Sequence, residues 1–234
     1  LFYKTKSETF YTMLATLNKI SRDHNCCEDT VHVKETEEVI TGGVFDGCST
    51  GINSHWASQT IAYTFAQYAT PTTCLSVRMA WRELQMIKLN LNLTPKHFES
   101  TCMIFRYHKP TKTLKLRIFG DGYYFINGVE YEVDQNNLVD YLGDHLNDTP
   151  EQFKQFLEKY PEIRYDNVTS FQICSDGIKR VERSQFAEKT EIEPMALLLH
   201  PPTSSNYLQR QWNILKNNHF YLTDDLSIIS YVQD

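Results

Sequence analysis

Four acidic dipeptides punctuate this 234-residue chain: Glu28-Asp29, Asp46-Gly47, Asp176-Gly177 and Asp224-Asp225. At least three stand where a β-prone apolar run starts or stops. A carboxylate at the edge of an apolar core is costly unless its charge is compensated. Strand ends gathered on one rim would let a single hard cation compensate several carboxylates at once. Mg²⁺ and Mn²⁺ take such oxygen ligands: carboxylate, carbonyl and water. The pattern demands a fold in which separated strand ends converge, and it points to metal-assisted phosphoryl or hydrolytic chemistry.

The runs between the acidic points supply the elements. Thr9 to Leu17 is apolar and aromatic with partial alternation and predicts a strand. Thr30 to Val33 and Glu38 to Phe45 flank the charged turn Lys34-Glu35-Thr36-Glu37 and predict a hairpin that runs into Asp46-Gly47. Ile52, Trp56, Ile61, Phe65 and Tyr68 recur at helical spacing before Pro71. Val77, Ala80, Leu84, Ile87 and Leu91 form a second helical stripe, which Met79, Met86 and Leu89 are expected to widen. Cys102 to Tyr107, Leu114 to Phe119, Tyr123 to Ile126 and Val129 to Val133 predict an antiparallel meander. Its Asn127-Gly128 is a two-residue turn signal, because a type I′ turn needs positive φ at both centres. Thr149-Pro150-Glu151 opens a short helix through Leu157, capped by Thr149 or Asp148. Phe171 to Cys174 predicts a strand, Val181 to His200 a helix in two pieces broken near Pro194, Asn206 to Leu215 a further helix, and Ser227 to Val232 a last strand. Strand blocks separated by helix pairs, without regular βαβ alternation, predict an α+β fold with antiparallel sheets.

The length suits one domain over residues 1–234. A hydrophobic content of 41% with 13% aromatics supports a sizeable core. A formal charge of −6 without any basic run argues against a nucleic-acid surface. No apolar run approaches the roughly 20 residues of a membrane span, and no signal peptide is visible. The six cysteines contain no CxxC pair and no disulfide framework, so reduced thiols in a cytoplasmic protein are expected.

The ordered set carries a resemblance. Glu28-Asp29 precedes a hairpin into Val44-Phe45-Asp46-Gly47. Then come a long helix, Leu116-Arg117-Ile118-Phe119-Gly120-Asp121-Gly122, a hairpin at Asn127-Gly128, Ile173-Cys174-Ser175-Asp176-Gly177, and finally Asp224-Asp225-Leu226-Ser227-Ile228-Ile229. From Thr9 to Val232 this resembles the metal-dependent protein phosphatases of type 2C, the PPM family, in its compact bacterial-like form. Each dipeptide alone is weak; the ordered set is specific. The resemblance implies a four-layer αββα sandwich, two antiparallel sheets flanked by helix pairs. It also implies a binuclear Mn²⁺ or Mg²⁺ centre, with a third ion in some members. Asp46 would bridge both ions, the Gly47 carbonyl and Glu28 would serve one of them, and Asp176 and Asp224 the other. Asp29 would act through water, and Asp121 with Asp176 would hold the third ion. Asp46, Asp176 and Asp224 would thus carry catalysis, by a metal-activated water that needs no phosphoenzyme. The implied substrate is a phosphorylated serine or threonine on another protein.

The chain departs from the family pattern in three places. Arg22, the candidate for gripping phosphate through its guanidinium fork, stands farther from Glu28-Asp29 than the family spacing, with Asn25-Cys26-Cys27 between. Cys48 follows Asp46-Gly47 where many eukaryotic members carry a histidine acid. Gly120-Asp121-Gly122 replaces the commoner Gly-Asp-Ser. These departures leave an alternative: a pseudophosphatase, using the same fold as a binding or regulatory module. A small-phosphoester hydrolase on the same site is a third reading.

Overall fold

The structure is a computed structural model that describes residues 12–135, 139–185 and 191–233. Two five-stranded antiparallel sheets lie face to face. One runs β1 (Thr12–Lys19), β12 (Leu226–Gln233), β9 (Ser170–Cys174), β6 (Gly122–Ile126) and β7 (Val129–Val133). The other runs β2 (Asp29–Glu35), β3 (Val39–Asp46), β4 (Cys102–His108), β5 (Thr113–Phe119) and β8 (Ile163–Tyr165). A small two-stranded antiparallel sheet, β10 (Val181–Arg183) with β11 (Phe220–Leu222), stands beside them.

Strands β4, β6 and β9 are nearly continuous in apolar character because both of their faces are covered. Along β4, Met103, Phe105 and Tyr107 point between the sheets, while Cys102 and Ile104 point to the helix layer. The inter-sheet core is aromatic: Phe171 of β9 packs against Phe105 and Tyr107 of the opposite sheet and Tyr231 of its own. Outside the β2–β8 sheet lie α1 (Ser54–Ala66), α2 (Cys74–Asn90) and α3 (Pro150–Lys159), which bury Ile61, Phe65, Val77, Leu84, Phe153 and Phe156. Outside the other sheet lie α4 (Pro194–Leu198) and α5 (Tyr207–Asn217), which bury Leu198, Leu208, Trp212 and Leu215. The expected αββα sandwich is present.

Local signals explain most element boundaries. Asn127 and Gly128 have φ of 50° and 82°, as the tight β6–β7 turn requires. Thr149, not Asp148, caps α3, and Gln152 returns a side-chain bond in a capping box. Other expectations are corrected. Val181 starts strand β10, not a helix, because it pairs with Leu222. Met79, Met86 and Leu89 do not widen the core stripe of α2; they are 48–67% exposed on its outer face. Strands β8 and β11 have only three residues each, too few to show a period. The expected strand from Thr9 begins, among described residues, at Thr12; residues 9–11 lie outside them. No helix among the described residues is long and apolar enough to cross a membrane.

The topology gathers the acidic points. Asp29 and Asp46 are register partners where β2 begins and β3 ends. Asp176 follows β9, Asp224 precedes β12, and the Ser175 N–H donates to the Ser227 carbonyl, 3.0 Å, holding those two ends side by side. Asp121 sits in the turn from β5 to β6.

Candidate metal centre

One cavity of about 260 Å³ opens on this rim. Glu28, Asp46, Gly47, Asp121, Asp176 and Asp224 line it, with Cys48, Ser49, Thr101 and Tyr141 completing the wall. Six of the eight candidate residues therefore meet in one place. Asp29 lies directly behind, 2% exposed, opposite Asp46 in the β2–β3 register. Arg22 is elsewhere. Its guanidinium is exposed, contacts Asp23 at 3.3 Å, lies 4.2 Å above the Tyr221 ring, and lines a separate groove beside α5.

Several of these acids are held by neighbours whose part the sequence did not reveal. The Ser175 hydroxyl donates to Asp29 Oδ2 at 2.6 Å and itself accepts the Ser227 N–H at 3.0 Å. It ties the buried acid of one sheet to two strand ends of the other. The Ser54 hydroxyl, at the start of α1, donates to Glu28 Oε1 at 2.6 Å. Thr101 fixes the end of β3 by accepting the Asp46 N–H at 3.2 Å and donating its own N–H to the Asp46 carbonyl at 2.8 Å. The Gln135 N–H donates to Asp121 Oδ1 at 2.8 Å.

The two aspartates of Asp224-Asp225 separate in role. Asp224 faces the cavity. Asp225 is 2% exposed and turned inward. It accepts the Ser21 N–H at 2.6 Å and the Glu28 N–H, and lies 3.1 Å from His24 Nδ1. It thus moors the Ser21–Glu28 loop, which carries Glu28 to the cavity. The glycines next to the acids are required by close backbone contact. A Cβ on Gly47 would lie 2.3 Å from the Ser54 carbonyl oxygen, and one on Gly177 would lie 1.8 Å from that of Asp225. The approach they permit is between chain segments, a reason that dipeptide spacing alone does not reveal.

The electrostatics are those of crowded anions. Burial pushes Asp29 up to about 7; Ser175 and Asp46 counteract by hydrogen bonding, while Asp225 and Asp224 repel. Burial raises Asp46 well above the usual carboxylate range, and Asp29, Asp176 and Asp224 add repulsion. Asp176 is raised by burial and by Asp224, with partial relief from Arg180. Burial also raises Asp121. No lysine or arginine lines the cavity among the described residues.

The donor set is all-oxygen and hard, and its charge is uncompensated by any cationic side chain on the wall. That fits Mg²⁺ or Mn²⁺ and does not fit a soft metal. Among the described residues, no three His, Cys, Asp or Glu side chains close into a metal-ligating group; the carboxylates ring the cavity instead. Ser49, Thr101 and Tyr141 went unnoticed in the sequence because they come from three distant segments with no shared pattern. Burial, followed by the neighbouring Cys48 thiol, raises the Tyr141 hydroxyl far above the ordinary tyrosine value.

No family profile matches the chain, and no curated protein matches it. Solved structures do. RsbX in complex with magnesium is 16% identical, with a TM-score of 0.60, and the alignment covers 98% of each chain. The catalytic domain of the serine/threonine protein phosphatase PstP, with two manganese ions, is 14% identical with a TM-score of 0.57, covering 96% of this chain and 99% of that one. A bacterial serine phosphatase is 10% identical with a TM-score of 0.60, covering 95% and 98%. The chain has the fold of the type 2C phosphatases.

Proposed function

We propose that the chain is a divalent-cation-dependent phosphatase that removes phosphate from serine or threonine of another protein. The observation that carries this reading is the meeting of Glu28, Asp46, Asp121, Asp176 and Asp224 around one cavity on a type 2C fold. The solved structures with magnesium and manganese support the choice of ions. Bound there, two cations supply a nucleophile at neutral pH and neutralise the phosphoryl oxygens.

Asp46, Asp176, Asp224, Glu28 and the Gly47 carbonyl would hold the ions, with Asp121 available to a further one. Asp29 would act from behind, held by Ser175 beside its register partner Asp46. Beyond the acids the cavity wall carries Ser49, Thr101 and Tyr141 together with Cys48 and Val139. Tyr141 keeps its proton throughout the neutral range, so it serves as a hydrogen-bond donor and not as a base.

The test is hydrolysis of p-nitrophenyl phosphate and of a phosphoserine peptide, with Mn²⁺ and with excess chelator. Mn²⁺-dependent turnover is expected, falling at least about a hundredfold in Asp46→Asn or Asp176→Asn. Full activity in chelator would refute the metal centre. The placement of Arg22 away from the cavity favours a second reading, a binding module without turnover. Mn²⁺ binding by calorimetry with no hydrolysis of either substrate would select it.

A further inference from the structure

A larger cavity, about 470 Å³, lies on the helix side of the β2–β8 sheet, between the N-terminal end of α2 and the C-terminal end of α3. Cys74, Arg78, Arg117, Lys154, Leu157 and Pro161 form most of its lining. None of them belongs to the acidic rim, and the proposed phosphatase chemistry leaves all of them unused.

Arg117 forms part of the lining. It comes from β5 and is 2% exposed. Its Nε donates to the Thr72 carbonyl at 2.7 Å. Nη1 donates to the carbonyls of Leu157, at 3.3 Å, and Tyr160. Nη2 donates to Cys74 Sγ at 3.3 Å. A guanidinium has five N–H groups, and one on Nη2 remains without an acceptor. No carboxylate bonds to this buried cation. Glu162, the nearest acid on the wall, is already engaged through Oε1 by Lys115 at 2.8 Å and through Oε2 by Thr72 at 2.6 Å. Glu158 lies 3.8 Å from Lys154 at the exposed mouth.

Two further features carry the same sign. Arg78 is exposed and has no hydrogen-bond or ion-pair partner among the described residues. The first turn of the 17-residue α2 contains no acid; the Thr73 side chain caps the Ser76 N–H, and Cys74, its first residue, lines the cavity. Glu162 is within electrostatic reach of Arg117 but is shared with Lys115, and the wall sets three cationic side chains, Arg78, Arg117 and Lys154, against two carboxylates, an excess that a bound anion would relieve. Leu157, Pro161 and the aliphatic stems of Arg78 and Lys154 supply an apolar part of the wall, beside the engaged carboxylates of Glu158 and Glu162. Volume and lining match a small-molecule pocket: mostly apolar, with a few placed polar groups.

We propose that this cavity binds a small organic anion, with one carboxylate, sulfonate or phosphate group set between Arg117 and Arg78 and a flat apolar body against Leu157 and Pro161. Cys74 stands at the entrance, exposed, and reports occupancy without any enzymatic activity.

The experiment uses naphthalene-1-sulfonate as the probe, on the full chain in excess chelator, so its outcome is independent of phosphatase activity. Alkylation of each cysteine by iodoacetamide is followed by mass spectrometry. Saturable protection of Cys74 is expected, with Cys26, also exposed but remote from the cavity, as the unprotected control. The uncharged naphthalen-1-ol should protect far less. Arg78→Glu, an exposed change that leaves the fold intact, should weaken protection about tenfold through charge reversal, and Lys154→Glu somewhat less. Titration of the probe's own fluorescence gives the same affinity should Cys74 alkylate too slowly to follow. No binding up to millimolar probe, equal protection by the neutral alcohol, equal protection of Cys26, or unchanged affinity in Arg78→Glu would each overturn the proposal.

Discussion

Burial and neighbouring carboxylates disfavour the charged forms of Asp29 and Asp46, pushing Asp29 up to about 7 and Asp46 well above the usual carboxylate range. Unfolded aspartates titrate near 3.9, roughly. A carboxyl raised in the folded state contributes stability that is fully present below the unfolded value and is lost as pH rises through the folded one. The metal-free protein should therefore melt at progressively lower temperature from pH 5 to pH 8. Saturating Mn²⁺ should raise the melting temperature most at pH 8 and flatten the slope. A slope that survives in Asp29→Asn would remove Asp29 as its cause, and one that survives in Asp29→Asn/Asp46→Asn would remove the pair. Asp225 offers a second test at the same scale. Asp225→Ala strands the buried N–H groups of Ser21 and Glu28. It should cost about 2–4 kcal/mol in urea unfolding and weaken Mn²⁺ binding about 10–100-fold by freeing Glu28. Tyr141→Phe keeps the ring and removes the hydroxyl from the cavity wall. A rise in KM for p-nitrophenyl phosphate with Mn²⁺ affinity unchanged is expected; an unchanged KM would exclude the hydroxyl from phosphate contact.

Element ends, more than element interiors, make the site. The turn after β9 packs Gly177 directly on the backbone of Asp225, where β12 is about to start. Gly177→Ala would force these two ends apart, and with them Asp176 and Asp224. A loss of about 1–3 kcal/mol from the clash and a disproportionate loss of Mn²⁺ affinity are expected by calorimetry. Retained affinity would show that the ends move together. By contrast, Thr149→Ala removes only the cap of α3, for about 1 kcal/mol, and should leave Mn²⁺ binding untouched. The sequence carried most element types in its periods and turn dipeptides: the Thr149-Pro150 start, the Asn127-Gly128 turn and the helical stripe at Val77, Ala80 and Leu84. It misled where a local pattern was overruled by pairing, as at Val181, or where periodicity could not tell the inward face from the outward one, as at Met79, Met86 and Leu89.

Two sheets pressed face to face hold the whole molecule, and Phe171 touches aromatic partners on both. Phe171→Ala should cost about 3–5 kcal/mol in urea unfolding and leave the acidic rim, at the strand ends, with its Mn²⁺ affinity intact below the transition. A loss of binding in the folded variant would mean that the inter-sheet core sets the spacing of the rim. By itself the sequence determined the α+β class and the identity of the acids, because apolar periods and charged strand ends are written locally. It also contained the order of dipeptides that resembles type 2C phosphatases. Only the tertiary structure decided which side of each dipeptide faces the cavity. Asp224 opens to the rim while Asp225 turns inward to moor the Ser21–Glu28 loop, and no local pattern distinguishes them. Only the tertiary structure carried Arg22 away to Tyr221, joined Ser175 to Asp29 across 146 residues of chain, and set Arg117 beside a cavity made from three separate elements. These are contacts between distant segments, and packing, not periodicity, chooses them.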